Sequence, residues 1–405
     1  MEQELLFSAR KCLSWIEKNM LAGERGERGV YERIRTDIGK RVNLCRPDVA
    51  SEYLRALLLY RKTGKTDYED VFENVTRWLE YAQNDVKTDK NSAFPFFLVE
   101  GKKDAAKSKS LYQNDNGKII LNLCELYEAT GDKRYLTMSE KCAAFWIKAQ
   151  RWKGNFYKAI TDLKKKDSYG PCFILWLMAA FLRLWKITGK KKYVSAGKKA
   201  FSAARKLIKN GRMRTSFEVS GTEAWRPASS ENYIALLCFA LAYRFTGDHA
   251  YIDAIHDIAD FCHSLIDPET GAIKNGTATC AGASLNGDEN ICDFVYTQGY
   301  AFNAMIELYE VLGEKKHLIV AKKAATFLIE TQENTEDERT NGAWRGSYNI
   351  RTKKAEGQCD QNNVLNEGGK YSLYTGWCAL PITTGLLRLY LLEKPSGESR
   401  TVLSK

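Results

Sequence analysis

One turn recurs five times along this chain, and it limits the possible folds more than any other feature. An aromatic residue, a glycine four positions later and a second ring four positions after that stand at Tyr60-Arg-Lys-Thr-Gly64-Lys-Thr-Asp-Tyr68, Tyr127-Glu-Ala-Thr-Gly131-Asp-Lys-Arg-Tyr135, Trp185-Lys-Ile-Thr-Gly189-Lys-Lys-Lys-Tyr193, Tyr243-Arg-Phe-Thr-Gly247-Asp-His-Ala-Tyr251 and Tyr309-Glu-Val-Leu-Gly313-Glu-Lys-Lys-His317. The period is about 58 to 67 residues, long enough for a helical hairpin and a loop of variable length. Glycine ends the first helix because it takes the left-handed cap conformation at little cost. The next helix starts within a few residues, so consecutive helices must run antiparallel.

Apolar residues recur at helical spacing on both sides of each turn, as in Leu54, Leu57 and Leu58 before the first and Val71, Val75, Trp78 and Leu79 after it. The pattern predicts helices over 48–63, 67–84, 115–129, 132–150, 170–188, 190–208, 229–246, 248–265, 295–312 and 314–332. Two more, near 3–20 and 375–393, pair to make a sixth hairpin. The expected fold is all-α, an (α/α)6 toroid of twelve main helices occupying residues 1–405 as one domain.

Helices before the glycine turns are apolar nearly all round, as in Phe173-Ile-Leu-Trp-Leu-Met-Ala-Ala-Phe-Leu182, whereas those after them carry a charged face. The first set therefore forms the inner ring. Links from outer to inner helices are long, at 85–114, 151–169, 209–228, 266–294 and 333–374, and all gather at one end. A ligand site belongs at that end, because the other is built of tight turns.

The starts of the inner helices read Arg46-Pro-Asp48 with Glu52, Asp115-Asn116, Tyr169-Gly170, Glu231-Asn232-Tyr233, Tyr296-Thr-Gln298-Gly-Tyr300 and Tyr374-Thr-Gly-Trp377. Acids, amides and rings thus converge on one funnel. Sugars call for this mixture: hydroxyls bond to amides and carboxylates while the apolar ring face stacks on an aromatic side chain. Glycosidic cleavage uses two carboxyl groups, for which Asp115, Asp48, Glu52 and Glu231 are the candidates. Asp48, Asp115 and Glu231 also sit where helix-capping acids sit, so each has a purely structural alternative. Expected substrate contacts are Arg46, Asn116, Tyr169, Asn232, Tyr296, Gln298, Tyr374 and Trp377. Trp344 and Arg345, in the last long loop, join them.

All four histidines, His249, His256, His263 and His317, fall on outer helices or at the tight-turn end. This argues against zinc-dependent prenyl transfer, lanthionine cyclisation and histidine-pair sugar 2-epimerisation. Neither a metal nor an organic cofactor is expected. Gly23-Glu-Arg-Gly26-Glu-Arg-Gly29 follows a helix and lacks a phosphate-loop ending, so it reads as a loop, and the glycine-rich run 271–287 reads as a lid over the cleft.

The formal charge of +11 concentrates at Lys164 to Lys166 and from Lys190 to Lys209. No aromatic residues interleave with these lysines, so they read as a solvated outer helix and not as a nucleic-acid surface; an acidic substrate stays open. Met1 to Leu21 carries too many charges for a signal peptide or a membrane span. The 11 cysteines include no Cys-x-x-Cys pair, and Cys124, Cys142, Cys238 and Cys262 lie inside helical patterns. Reduced thiols and a cytoplasmic location are expected.

The repeated Tyr-x-x-Thr-Gly-Asp-x-x-Tyr-Leu turn resembles that of the six-hairpin glycosidase superfamily over nearly the whole chain. Phe294-Val-Tyr-Thr-Gln-Gly299 with Leu308-Tyr309 is similar to a stretch of glycoside hydrolase family 76, with Thr297 in place of an asparagine. That family's catalytic Asp-Asp pair corresponds to Asp115-Asn116, so its mechanism does not carry over. The unsaturated glucuronyl and rhamnogalacturonyl hydrolases of families 88 and 105 are similar in architecture. Their likeness implies Asp115 as a proton donor and Arg46 or Arg345 as a fork for a uronate carboxylate. The expected function is a glycoside hydrolase acting on oligosaccharides or polysaccharides, uronate-bearing or unsaturated ones included. The alternative is a non-hydrolytic protein of the same fold: a uronate epimerase, a lyase or a glycan-binding accessory to polysaccharide biosynthesis.

Overall fold

A computed structural model describes residues 2–23, 28–84, 93–99, 108, 110–156, 159–161, 165–166, 173–213, 229–275, 283–284, 290–359 and 367–394. Twelve α-helices stand among them: α1 (Glu2–Asn19), α2 (Pro47–Arg61), α3 (Glu69–Asn84), α4 (Gln113–Thr130), α5 (Lys133–Ala149), α6 (Phe173–Thr188), α7 (Lys191–Arg205), α8 (Ser229–Thr246), α9 (Ala250–Ser264), α10 (Gly299–Leu312), α11 (Lys315–Thr331) and α12 (Leu380–Glu393). The even-numbered helices touch in the order α2, α4, α6, α8, α10, α12 and back to α2, which closes an inner ring. Each odd-numbered helix packs outside its hairpin partner, with α1 against α12.

The repeated turn explains its own composition. Gly64, Gly131, Gly189, Gly247 and Gly313 all have φ between 68° and 90°. The threonine before the glycine caps the helix that is ending: Thr130, Thr188 and Thr246 each donate to the carbonyl four residues back at 2.7 Å. The same hydroxyls accept from the N–H two residues on, in Asp132, Lys190 and Asp248. The second ring, such as Tyr135, Tyr193 or Tyr251, is buried under the turn.

Neighbouring outer helices are clasped by glutamines at their C-terminal ends. Gln83 donates to Met138 O and Gln150 to Ala196 O, each at 3.0 Å. Gln332 repeats the contact across the ends of the chain, donating to Ser8 O at 3.0 Å and accepting from the Ser8 hydroxyl at 2.7 Å. Ring closure thus reuses the clasp that joins internal repeats.

Among the helix starts that differ from the periodicity, three do so for a local reason. α3 begins at Glu69 because Tyr68 holds φ 76°. α10 begins at Gly299, after a kinked turn over Phe294–Gln298 in which Tyr296 has φ 74°. α12 begins at Leu380, after a π-helical turn over Thr375–Ala379. Short strands decorate the long-loop end; of these, Arg33–Arg35 pairs antiparallel with Ser372–Tyr374, joining the two ends of the sequence over α2.

Lys191, Lys192, Lys198 and Lys199 are exposed on α7, as a solvated outer face requires. Among the described residues, no helix is long and apolar enough to cross a membrane, and the cysteines are buried and unbridged. Residues 24–27 and most of 271–287 lie outside the described residues, and with them the readings of a charged loop and a lid.

Candidate active site

The site grows from the first turn of α2. Pro47 sets the helix start, and Arg46 before it is extended, with no side-chain cap bond at this terminus. Asp48 stands in the first helical turn, where its charge suits the helix dipole, and its carboxylate accepts from Arg46. The register Arg33↔Tyr374 brings Glu32 and Tyr374 to the same point. Arg46 is 2 % exposed and its guanidinium is fully spent. It donates to Glu32 at 2.6 Å, to Asp48 at 3.1 and 3.4 Å and to Asp115 at 2.9 Å, with one face 3.9 Å from the centre of the Phe96 ring. Arg33 and the Tyr374 hydroxyl also bond to Glu32.

Lys118, one turn beyond Asp115 on α4, lies below this layer. Its ammonium is 2.9 Å from Glu52, 3.8 Å from Asp48 and 3.4 Å from the centre of the Trp377 ring. The Trp377 indole N–H donates to Asp48 at 2.8 Å, and the Tyr300 hydroxyl donates to Glu52 at 2.9 Å. Gly117 makes room for this layer, since a Cβ there would lie 2.7 Å from the backbone of Trp176 and Leu177 on α6. Glu52 Oε2 has no hydrogen-bond partner, and Glu52 borders a cavity of about 50 Å³ in the lumen of the ring, lined also by Lys118, Trp176 and Tyr300. A water needs ~10–15 Å³ of such space, so the lumen has room for water beside Glu52.

Five carboxyl groups, Glu32, Asp48, Glu52, Asp115 and Glu367, share three cations, Arg33, Arg46 and Lys118. Full ionisation would leave a buried excess of negative charge, so protons stay on the cluster at neutral pH. Burial, reinforced by the Asp48 charge and opposed by Arg46 and Lys118, pushes the Asp115 carboxyl up to about 8. Burial also pushes Glu52 up to about 7 against the pull of Lys118. Glu367 is raised by burial and by Glu32.

Of the candidates from sequence, Arg46, Asp48, Glu52, Asp115, Tyr296, Tyr374 and Trp377 come together here. Their roles are sorted differently from expectation. Trp377 is 2 % exposed, with Lys118 on its face and Asp48 on its edge, and so offers no platform to a sugar. Arg46 serves protein carboxylates, not a uronate. Asn116, Asn232 and Gln298 are loop clamps: Asn116 bonds the N–H and C=O of Phe94 at 2.7 and 3.0 Å, Asn232 those of Met213 at 2.8 and 3.5 Å, and Gln298 those of Ile273 at 2.9 and 2.7 Å. Trp344 is fully buried and donates to Leu328 O on α11 at 2.7 Å. Arg345 is held by Glu333, Thr36 and Lys370 O. Glu231 is buried beside Ser230 and acts on Asp293. Tyr169 lies outside the described residues.

Glu32, Lys118 and Glu367 were not among the candidates, and Tyr300 stood among the funnel residues without an assigned role. Lys118 and Tyr300 had a signal, being one helical turn beyond Asp115 and Tyr296. Glu32 and Glu367 had none, since strand pairing between the ends of the chain delivers them. Among the described residues, no group of three or more His, Cys, Asp or Glu side chains is arranged to hold a metal ion.

No family model matches this chain, and no curated protein matches it by sequence. Solved structures do match over its length. A cellobiose 2-epimerase from Spirochaeta thermophila is 15% identical with a TM-score of 0.70, over 96% of this chain and 97% of that one. The chain has the fold of the six-hairpin glycosidases. An unsaturated glucuronyl hydrolase specific for heparin matches this toroid at 13% identity and TM-score 0.70, over 97% and 99% of the two chains. A family 76 α-mannanase from Bacteroides thetaiotaomicron matches it at 14% and 0.69, over 96% of each. Glycoside hydrolases and sugar epimerases thus share the toroid, and at these identities the likeness is one of fold.

Proposed function

We propose that this toroid is a glycoside hydrolase that cleaves oligosaccharides by carboxylate acid/base chemistry, with Asp115 as the general acid. The observation that carries the reading is the place of Asp115, buried at the start of α4 against the shared Arg46 guanidinium, where burial pushes its carboxyl up to about 8. A general acid must be protonated when substrate arrives, and burial with like-charged neighbours is how an aspartate achieves this. A neutral sugar suits the site better than a uronate, because Arg46 and Arg345 are both spent on protein groups.

The sugar epimerases of this fold supply the second reading. Against it, His249 precedes α9, His256 and His263 lie on α9 and His317 on α11, all in the outer ring. Histidine-pair epimerisation has no histidine to use at the funnel. Uronate epimerisation, elimination and binding without cleavage stay with this second reading.

The test is a product-release assay against neutral, uronate-bearing and 4,5-unsaturated oligosaccharides, with Asp115→Asn as the control. Cleavage by the wild type that falls at least about 100-fold in the variant supports the hydrolase. Epimerised or unsaturated products, or binding without cleavage, would move the assignment to the second reading.

A further inference from the structure

We propose that Glu367, held by the Tyr296 hydroxyl, is the second catalytic carboxyl of this site beside Asp115; this rests on the hydrolase reading. Elimination narrows the choice first. Glu32 is bonded to Arg33, Arg46 and Tyr374, and Asp48 to Arg46 and Trp377; both are 1 % exposed. Glu52 faces the lumen below, paired with Lys118 and Tyr300. Asp115 and Glu367 are left, each with a single hydrogen bond among the described residues, from Arg46 at 2.9 Å and from the Tyr296 hydroxyl at 2.7 Å.

The two come from different walls. Asp115 stands in the first turn of α4, whereas Glu367 stands on the segment leading to the strand Ser372–Tyr374, which lies over α2. That segment is fixed by the bridge between Gly346 and Gly369, where a Cβ on Gly346 would lie 2.7 Å from Gly369 O. The groups also feel each other, since Glu367 raises the Asp115 carboxyl. Two carboxyls on different walls can present one acid and one base, as a two-carboxylate hydrolysis requires.

Tyr296 is the positioning residue for Glu367. Its left-handed backbone is strained for a non-glycine residue, and strain of this kind persists only where surrounding contacts impose it. Here the Asp293 carboxylate accepts from the Val295 N–H and the Thr297 hydroxyl, both at 3.1 Å, while Gln298 is clamped to Ile273. The kink aims the phenol at Glu367. In the reaction the Asp115 proton passes to the glycosidic oxygen as its bond to the anomeric carbon breaks. A water oxygen bonds to that carbon and gives a proton to Glu367; solvent then returns Asp115 and Glu367 to their starting states.

The experiment uses an aryl glycoside of whichever sugar the wild type releases, with Glu367→Ala, Glu367→Gln and sodium azide. Azide needs no base, so it can attack where the activated water is missing. Expected are wild-type-like melting of Glu367→Gln, loss of at least about 100-fold in both variants, and recovery of Glu367→Ala by azide of about tenfold or more with glycosyl azide as product. A Glu367 variant that keeps a tenth of the activity, or an inactive Glu367→Ala that forms no glycosyl azide, overturns the proposal and leaves the hydrolase reading standing. A wild type that cleaves nothing in the panel overturns both.

Discussion

Arg46 Nη2 lies 2.9 Å from the Asp115 carboxylate, and this one nitrogen also reaches Asp48 at 3.4 Å. The two carboxylate oxygens are therefore no farther apart than the sum of those distances. Arg46→Met leaves Glu32, Asp48 and Asp115 buried without their shared cation. Breaking a buried ion pair from one side costs ~3–5 kcal/mol. Urea unfolding should show a loss of that order, larger at pH 8 than at pH 5.5, where protons replace the missing charge. Equal losses at the two pH values would mean that Arg46 contributes packing only.

The elevated Asp115 and Glu52 carboxyls also set a pH dependence of stability. Their unfolded values are ~3.9 and ~4.3, and the folded ones are about 8 and about 7. Between these limits the folded state holds protons that the unfolded chain has released, so the contribution is complete below pH ~4 and lost as pH rises through 7 and 8. Asp115→Asn removes one such group. Relative to wild type it should gain at least about 1 kcal/mol between pH 5 and pH 8 in denaturant melts. A constant difference across that range would place the Asp115 proton elsewhere.

Two Arg-Glu-Arg sandwiches brace the tight-turn end. Glu125 on α4 lies between Arg55 on α2 and Arg183 on α6, and Glu307 on α10 lies between Arg244 on α8 and Arg388 on α12. The second repeats the first three hairpins later, so each inner helix contributes one member. Burial would push the Glu307 carboxyl up, but Arg388 and Arg244 outweigh it and hold it low. Glu307→Gln removes the buried carboxylate while Arg244 and Arg388 keep Glu310 as a partner, so it should cost ~1–2 kcal/mol, while an assay of catalysis at 25 °C should change little. A thermal melt unchanged from wild type would show that the sandwich is neutral.

Local rules carried the fold because the same rule was written five times. Thr-Gly turns, apolar stripes and long links on one side are all read within a few residues, and together they place every helix to within a few positions. The departures at Tyr68, Tyr296 and Thr375 involve backbone geometry that a hydrophobic period does not encode. The site was legible only where it sits on helix starts, at Asp48, Glu52 and Asp115. Asn116 and Gln298 look like sugar-binding amides until their partners, Phe94 and Ile273, are known, and those lie more than twenty residues away on other loops. Trp344, expected as a substrate contact in the last long loop, instead docks its indole on α11 through Leu328 O. Glu32 and Glu367 reach the funnel by pairing between the first and last parts of the chain, which no local pattern announces.

Tyr296→Phe separates the roles of the two proposed catalytic carboxyls. The phenol donates a 2.7 Å hydrogen bond to Glu367, and this bond pulls the Glu367 carboxyl down against burial and the Glu32 charge, which raise it. Phenylalanine keeps the ring against Trp377 but removes that bond, so Glu367 must become harder to ionise. If Glu367 is the base, the acid limb of kcat/KM moves to higher pH while the alkaline limb set by Asp115 stays in place. Movement of the alkaline limb alone would exchange the two roles, because Glu367 would then be the group whose proton is needed. A profile scaled down with neither limb moved would reduce Tyr296 to a scaffold residue, and its left-handed backbone would serve the loop and not the chemistry.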